Sequence, residues 1–483
     1  MLQLDEVLIG VQTEAARQVP AVPAALQQVA FGEAVIDSRL AIPGSLFVAL
    51  GGERVDGHDF LADAVARGAR AALVRRERAA GLSLGQPAVV VEPTGAGLEQ
   101  ATPEAVLLIA VDEPLAALHR LASYRRARFS PTVIGITGSV GKTSTKEATA
   151  AVLQRRYRTL KNPRSYNNES TMPLTLLQLD ASHELAVLEM GAYVPGDIAL
   201  LAQLARPQVG IVTNVGHSHL ERMGSIEMVA RTKGELVRAL PAGGHAILNI
   251  DDPRVRAMAE QTAARPFFYG CDPAAELWAD EIEGLGLAGV AFRAHYAGET
   301  QRLRLPMLGR HSVYTALAAA AAGLLLGLDW PAIAEGLCDE RARLRLVAVP
   351  ARGGATLVDD TYNASPTSSL AALNLLAELQ GRKLAVLGDM LELGPAEEES
   401  HRLVGRQAAQ VVDWLVTVGR RAQWIAEGAA EAGLPAERIR QVADNRAAIE
   451  LVGELMRPGD FILVKGSRGA AMEVIVAALR QPE

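Results

Sequence analysis

The 483-residue sequence has few cysteines, few aromatic residues and no excess of positive charge. Its two cysteines, Cys271 and Cys338, lack metal-ligand spacing, so no disulfide framework is expected and a reducing cytoplasm fits. The net charge of −7 argues against nonspecific nucleic-acid binding, which depends on a basic face. The longest apolar run, 316–328, is shorter than the ~20 residues that span a bilayer, and the first residues do not resemble a signal peptide. We therefore expect a cytoplasmic globular protein without nucleic-acid partners or membrane insertion.

The length and the strand–helix pattern predict three α/β domains, because a single core rarely serves more than about 250–300 residues. They are a smaller N-terminal domain at 1–107, a central phosphate-loop domain with a parallel sheet at 108–346, and a C-terminal Rossmann-like doubly wound domain at 347–483. Apolar runs predict strands at 44–50, 71–74, 132–134, 185–188, 209–213, 246–249, 355–358, 383–387, 414–418 and 460–464, and helices at 59–68, 115–128 and 316–328.

The segment 135–147 reads GITGSVGKTSTKE, follows an apolar strand and opens a helical pattern. Its glycines permit a tight turn in which successive backbone N–H groups point into one concavity. Lys142 can reach terminal phosphates from there, and the Thr143 hydroxyl can hold a magnesium ion. The alternative is an ordinary strand-to-helix turn. The combination of glycines with Lys-Thr favours nucleotide binding.

Polar residues follow the next predicted strands, where ligands of a parallel sheet bind. Glu189 ends one strand, and His219 lies six residues beyond the end of another. A transition-metal site at His217-Ser218-His219 is the alternative for the histidines, but no third ligand has matching spacing. Asn249 and Asp251-Asp252 end a further strand. They can bind an adenine edge or simply cap the helix that begins at Pro253.

Several charged residues are interpreted from their local sequence as solvated helix surface. Arg125-Arg126 and Arg155-Arg156 fit an exposed face better than a binding stripe. The local sequence around Lys233 favours a surface lysine that pairs with acidic residues. His401 follows the acidic run 397–399, and a solvated helix start is favoured over a catalytic base.

Taken together, these motifs resemble those of the Mur ligases, which are ATP-dependent, amide-bond-forming enzymes of peptidoglycan precursor synthesis. The resemblance covers essentially the whole chain in order. The motifs of the N-terminal and C-terminal domains are similar to those of the Mur ligases that join D-alanyl-D-alanine to UDP-N-acetylmuramoyl-tripeptide. The motifs that carry it are 37–39, 43–50, 52–60, 137–143, 189–191, 213–219, 233–235, 249–252, 359–366, 387–394 with His401, and 465–468.

The resemblance implies a role for each matching residue. Phosphates would be cradled by Gly138, Ser139, Val140, Gly141, Lys142, Thr143 and Ser144. Catalytic residues would be Lys142, Glu189, His219, Lys233 and Arg345. Two magnesium ions would be held by Thr143, Glu189, His219 and Lys233, the lysine as a carbamate. The rest of ATP would be contacted by Asn249, Asp251, Arg345 and Asp360. The uridine diphosphate end would be held by Ser38, Arg39, Arg54 and His58, and the acceptor side would be lined by Asn363, Lys465, Ser467 and Arg468.

The implied activity is an ATP-dependent ligation through an acyl phosphate, by a monomer whose substrates are UDP-MurNAc-tripeptide and D-Ala-D-Ala. The sequence departs from the family at Ser312 and Thr315, where amides are usual, and at Leu344 and Ser365. These changes affect the expected nucleoside contacts rather than the phosphate loop. Two alternatives stay open: a related Mur-type or folylpolyglutamate-type ligase with another acceptor, and a non-catalytic nucleotide-switched protein that binds the precursor.

Overall fold

The structure is a computed structural model that describes residues 1–52, 55–82, 84–217, 220–339 and 346–481. Arg54, His219 and Arg345 therefore lie outside the described residues. The strands in chain order are β1 (Leu2–Gln3), β2 (Ala30–Phe31), β3 (Ala34–Val35), β4 (Leu46–Val48), β5 (Ala71–Arg75), β6 (Ala88–Val91), β7 (Val106–Val111), β8 (Thr132–Thr137), β9 (Thr159–Lys161), β10 (Leu185–Glu189), β11 (Val209–Val212), β12 (His245–Asn249), β13 (Arg265–Gly270), β14 (Leu277–Gly284), β15 (Val290–Tyr296), β16 (Glu299–Leu305), β17 (Val347–Pro350), β18 (Thr356–Asp360), β19 (Lys383–Gly388), β20 (Trp414–Val418), β21 (Ile439–Val442) and β22 (Phe461–Lys465).

The helices alternate with these strands. In chain order they are α1 (Leu4–Val11), α2 (Leu61–Ala66), α3 (Arg76–Ala79), α4 (Pro114–Ala127), α5 (Lys142–Leu153), α6 (Met172–Leu176), α7 (Asp197–Ala205), α8 (Leu220–Met223), α9 (Ile226–Arg238), α10 (Pro253–Arg256), α11 (Ser312–Leu325), α12 (Trp330–Cys338), α13 (Pro366–Glu378), α14 (Glu397–Ala409), α15 (Gln423–Glu431), α16 (Asn445–Leu455) and α17 (Glu473–Leu479). The predicted α/β class is confirmed, and every predicted strand and helix is present with ends shifted by a few residues. Within the described ranges, no helix combines the length and apolarity needed to cross a bilayer.

The chain divides into two compact units, of which the first comprises residues 1–133, 158–190 and 199–207. It contains a five-stranded sheet in the order β3-β4-β5-β7-β6 with every pairing parallel. Helix α2 ends before Gly68, whose φ of 107° lies in the left-handed region that favours glycine. Strands β9 and β10 also pair in parallel within this unit, which places Glu189 at the carboxyl end of β10.

One interpretation of surface charge is wrong in this unit, because Arg125 and Arg126 are both 5% exposed. The guanidinium of Arg125 lies 2.7 Å from the carboxylate of Glu6 on α1, and Arg126 donates to the carbonyl of Ala205. The partner acid stands 119 positions away in the chain, so the local pattern around the arginines could not reveal it. Arg155-Arg156 are exposed as predicted.

The second unit comprises residues 134–157, 191–198 and 208–483 and contains two sheets. In the first sheet, strands of this unit follow the order β16-β15-β14-β13-β12-β11-β8, with β8 represented by residues 134–137. Helix α5 leaves the carboxyl end of β8 and packs against α11 and α12. The pairings from β8 to β14 are parallel, whereas β14-β15-β16 form an antiparallel extension that the sequence reasoning did not anticipate.

The second sheet of this unit has the order β17-β18-β22-β19-β20-β21 and is parallel except for β17. Apolar clusters cover its two faces, one built on Leu373 and Leu387 and the other on Val386 and Val464. This is the doubly wound arrangement expected for the C-terminal block. The register pairs Asp360 with Lys465, so both residues lie at the carboxyl edge of this sheet.

Candidate active site

The turn between β8 and α5 has the backbone that the phosphate-loop prediction requires. Gly138 has a φ of 147° and Gly141 has a φ of 85°, both in the region that L side chains rarely adopt. A Cβ on Gly138 would also overlap the Thr213 hydroxyl, whereas one on Gly141 would meet nothing. Glycine is therefore required at Gly138 for conformation and for space, and at Gly141 for conformation.

Lys142 begins helix α5, and its ammonium group returns to the loop that precedes it. Its Nζ donates to the carbonyls of Gly138 at 2.8 Å and Ser139 at 3.0 Å. The first intrahelical backbone bond runs from Thr145 N to Gly141 O, so the preceding amides of the first turn point out of the helix end. A helix N-terminus with a lysine beside it attracts anions. The geometry of this loop suits phosphate groups.

A second segment, 213–216 after β11, holds the loop in shape and was not named among the predicted site residues. Asn214 accepts from Val140 N through Oδ1 and donates to Val140 O through Nδ2, each at 2.9 Å. Ser139 N donates to Asn214 O, and the Ser139 hydroxyl bonds the backbone of Gly216. The amides of Ser139 and Val140 are thus used inside the protein. An Asn at the end of the strand beside β8 was the available signal.

Lys233 is 1% exposed on α9, so its local interpretation as a surface lysine is wrong. Burial, and then the nearby Lys142 cation, lower the pKa of Lys233 to about 7, although Asp197 and Glu235 oppose the shift. A large part of this amine is therefore neutral at physiological pH. Only a neutral amine is nucleophilic, which distinguishes Lys233 from an ordinary lysine.

Glu189 is buried in the first unit, at the end of β10. Its Oε1 accepts from Asn167 Nδ2 at 2.7 Å, and Asn162 bonds both its backbone N–H and its carbonyl. The Asn167 amide thus orients the Glu189 carboxylate, and Asn162 fixes the backbone of Glu189. Among the described residues, which exclude His219, no group of three or more His, Cys, Asp or Glu side chains forms a preassembled metal site.

The polar residues at the end of β12 and just after it form hydrogen bonds within the protein. Asn249 donates to Thr213 O and accepts from Asp251 N, while Asp251 accepts from the amides of Cys271 and Asp272. Asp252 accepts from the first amides of α10 and from Val215 N, so the capping alternative is confirmed for that residue. The three side chains fix the edge of the sheet beside the 213–216 segment.

In the C-terminal sheet, Lys465 is 2% exposed and binds two of the predicted site residues. Its Nζ lies 2.6 Å from Asp360 Oδ2 and 2.9 Å from the carbonyl of Asn363. The structure thus brings three predicted positions together at one sheet edge. Ser365, which departs from the family pattern, is the N-cap of α13 and forms a reciprocal capping box with Ser368.

His401 is fully buried on α14, so its interpretation as a solvated helix start is wrong. Its Nε2 accepts from Met390 N at 3.0 Å, and its Nδ1 bonds the carbonyl of Glu397 at 2.6 Å. Both ring nitrogens are committed, and burial lowers its pKa. Ser467 binds the same loop, donating its N–H to Asp389 O and accepting from Leu391 N. The loop 388–394 is therefore fixed from two sides.

In the first unit, His58 is also buried with both ring nitrogens in use. Its Nδ1 lies 2.6 Å from Asp56 Oδ1, and its Nε2 accepts a hydrogen bond from Arg75 N at 2.9 Å. Arg39 is exposed and bonded to Asp37, while Ser38 is buried beside Asp63, whose pKa it lowers. Of these residues, Arg39 keeps its guanidinium at the surface.

Three models of one family match the chain. The Mur ligase family catalytic domain matches residues 34–126, the Mur ligase middle domain matches 136–323, and the Mur ligase glutamate ligase domain matches 342–468. A relative from Mycobacterium tuberculosis, UDP-N-acetylmuramoyl-tripeptide–D-alanyl-D-alanine ligase, is 38% identical over 480 residues, which cover 93% of this chain and 92% of the relative. This chain therefore belongs to the Mur ligase family.

Solved structures extend the similarity. The crystal structure of MurF from Acinetobacter baumannii superposes with a TM-score of 0.80 at 30% identity, covering 99% of this chain and 98% of that one. MurF ligase from Thermotoga maritima, solved in complex with ADP, gives a TM-score of 0.74 at 26% identity, with 93% and 97% covered. The whole chain, rather than one nucleotide-binding module, is similar to these ligases.

Proposed function

We propose that this Mur ligase uses ATP to join D-alanyl-D-alanine to UDP-N-acetylmuramoyl-tripeptide and so makes the pentapeptide precursor of peptidoglycan. The name of the M. tuberculosis relative supports the substrates, and the ADP complex of the T. maritima ligase supports the nucleotide. The observation that carries the proposal is the pairing of the phosphate loop at Lys142 with the buried amine of Lys233. A passive nucleotide-binding turn does not need the second lysine.

The chemical problem is an inert carboxylate, whose delocalised charge resists an amine and whose oxide is a poor leaving group. A carboxylate oxygen attacks the γ-phosphorus of ATP, the bond from that phosphorus to the bridging oxygen breaks, and the products are an acyl phosphate and ADP. The dipeptide amine then forms the new C–N bond, the C–O bond to phosphate breaks, and the amine loses a proton. The protein positions these groups and neutralises charge, and no side-chain nucleophile is needed.

Lys142 and the first-turn amides of α5 carry the phosphate side of the proposal. Lys142 now donates to two carbonyls of its own loop, and phosphate oxygens would take over those donor positions. Because the amides of Ser139 and Val140 are bonded to Asn214, we assign the phosphate contacts to the amides from Gly141 to Ser144. Asn214 then acts as a positioning residue.

Magnesium is proposed at Thr143, Glu189, His219 and Lys233. Hydroxyl and carboxylate oxygens are the ligands that Mg²⁺ prefers, and buried Thr143 and Glu189 fit that preference. A cationic lysine does not fit, but the neutral amine of Lys233 can form a C–N bond to CO₂ and release a proton to water, which leaves an anionic carbamate. The ions would supply charge neutralisation on the phosphates.

The other predicted contacts remain proposals, and the geometry divides them into direct and supporting roles. Arg345 and Arg54 are assigned to the nucleoside and the uridine diphosphate on sequence alone. Asn249, Asp251 and His58 have their polar atoms in intraprotein bonds, so we assign them the shaping of their loops. Arg39 is assigned direct contact with the uridine nucleotide. We also retain the three-domain division at 107/108 and 346/347.

The decisive experiment is mass analysis of the product formed from UDP-MurNAc-tripeptide, ATP and D-Ala-D-Ala. We expect a mass gain of one dipeptide minus water, and no product with glutamate or a diamino acid as acceptor. Lys142→Ala should abolish product, while Lys383→Ala, at the amino end of β19, should not. ADP formation without any product would instead support a nucleotide-switched binding protein.

A further inference from the structure

Two arginines and two tyrosines form a surface cluster, of which only Arg468 belongs to the predicted site. The guanidinium carbon of Arg222 on α8 lies 5.4 Å from the ring centre of Tyr193, and that of Arg468 lies 5.8 Å from the ring of Tyr362. The rings are unusually exposed for large side chains, at 43% for Tyr193 and 38% for Tyr362. We call these four residues the arginine–tyrosine cluster.

The two guanidinium groups keep their hydrogen-bond donors available. Within the part of the chain that the structure describes, neither Arg222 nor Arg468 forms an ion pair or a hydrogen bond. Arg402, by contrast, contacts the three acids Glu398, Glu427 and Glu431. A guanidinium presents five N–H groups in a planar fork that matches a carboxylate, and aromatic rings hold such a fork in place. The cluster therefore offers two preoriented forks.

Backbone contacts hold the cluster against the C-terminal sheet. Glu221, the neighbour of Arg222, donates its N–H to the carbonyl of Glu392 at 3.3 Å. Gly394 faces the backbone of Glu221 so closely that a Cβ there would crowd it. The loop 388–394 that makes both contacts is the loop fixed by His401 and Ser467. Arg222 thus has a defined position beside this loop.

The cluster also lies next to the pair at the carboxyl edge of the sheet. Tyr362 stands between Asp360 and Asn363, both of which bind Lys465, and Arg468 follows Lys465 by three residues. Burial and the Glu392 carboxylate raise the pKa of Tyr193, while the cations of Arg468 and Arg222 lower it, so both cations and this carboxylate lie near the same phenol. The guanidinium groups of Arg222 and Arg468 therefore lie close together, beside Tyr193.

We propose that Arg222, acting with Arg468, binds the carboxylate of the dipeptide acceptor. This inference rests on the proposed function. The acceptor must present a neutral amine to react, so its carboxylate is the end that keeps a charge and can be held without hindering the attack. Arg222 would then set specificity for an acceptor with a free carboxylate.

The test pairs a protein change with a substrate change. With D-Ala-D-Ala, Arg222→Gln is expected to lower kcat/KM about 10- to 100-fold, mostly through KM for the dipeptide, because a charge-assisted bidentate contact is lost. With D-Ala-D-Ala amide, wild type and variant should differ less than threefold. KM for ATP should not change. Arg222→Lys should recover only part of the loss, because a point charge lacks the fork.

Arg352→Gln is the matched control, since Arg352 is exposed before the amino end of β18, at the opposite edge of the sheet. An equal loss with the dipeptide and its amide would overturn the inference and indicate a structural role. A raised KM for UDP-MurNAc-tripeptide with no change for the dipeptide would overturn it in favour of the precursor's carboxylates. Absence of ligation by the wild-type protein would instead refute the proposed function.

Discussion

Buried Lys465 and partly buried Asp360 form an ion pair across two neighbouring parallel strands, with Nζ 2.6 Å from Oδ2. The family resemblance assigns Asp360 to the nucleotide and Lys465 to the acceptor. The direct contact between them means that a change at either residue alters the other. We therefore interpret this pair as the physical link between the two predicted binding functions in the C-terminal sheet.

Removing one member of this pair should lower the free energy of unfolding more than removing both. Asp360→Asn leaves the Lys465 cation buried without its counter-ion, and we expect a loss of about 3–5 kcal/mol in the free energy of unfolding. The double variant Asp360→Asn with Lys465→Met removes both charges and should recover most of that loss. Urea unfolding measures the stabilities, and ligation should remain impaired in both variants. Equal destabilisation by the single and double variants would contradict this account.

The two glycines of the phosphate loop should respond differently to alanine. Gly141→Ala introduces only the strain of placing an alanine in a left-handed backbone conformation, which costs about 1–2 kcal/mol. Gly138→Ala adds an overlap with the Thr213 hydroxyl, which must move and give up its hydrogen bond to the carbonyl of Val140 in the loop. We expect Gly138→Ala to lose most ATP binding while Gly141→Ala retains more of it. Calorimetric titration with a nonhydrolysable ATP analogue compares them, and the same loss in both would show that space at Gly138 is unimportant.

The sequence predicted those features that depend on local pattern. Strand β8, the glycines and Lys142 follow one another in the chain, and their order alone indicates the turn. The environment of Lys233 could not be predicted locally, because burial and the Lys142 cation come from segments that are distant in sequence. The same reason explains Arg125, whose partner Glu6 lies on α1. The position of Asn214 at the end of a strand could be predicted from the sequence. Its two hydrogen bonds to Val140 could not, because they depend on the register of β11 beside β8.

His401 should give the C-terminal sheet a pH-dependent stability. Burial lowers its folded pKa below the ordinary 6.5, so the unfolded chain binds a proton first as the pH falls. Stability should therefore decrease as the pH drops below about 6.5, until the folded-state pKa is passed. His401→Gln should cost about 1–3 kcal/mol at pH 8, because the Met390 amide loses a well-placed acceptor. That variant should also show a weaker pH dependence between pH 8 and pH 5.5 in urea unfolding. An unchanged slope would mean that another group titrates.

Lys233 on α9 should change the stability with pH in the same direction as His401, but at higher pH. Its pKa is about 7 in the folded protein and 10.5 ordinarily, so between these values the unfolded chain binds more protons. Stability should rise with pH across that window, by up to ~1.4 kcal/mol per pH unit. Lys233→Met has no such proton and should be flatter from pH 7 to pH 9, and more stable than wild type at pH 7. Equal slopes for the two proteins would show that the lysine is charged in the folded state.

The same neutral amine should make Lys233 reactive toward CO₂. We expect ¹³C-labelled bicarbonate to give a carbamate signal in NMR that grows as the pH rises through about 7, because protonated amine cannot attack CO₂. Lys383→Met should keep the signal and Lys233→Met should lose it, which separates this site from the remaining lysines. Activity should follow the signal, since the carbamate would be the form that binds magnesium. Full activity in Lys233→Met would remove the carbamate from the mechanism while leaving the phosphate loop intact.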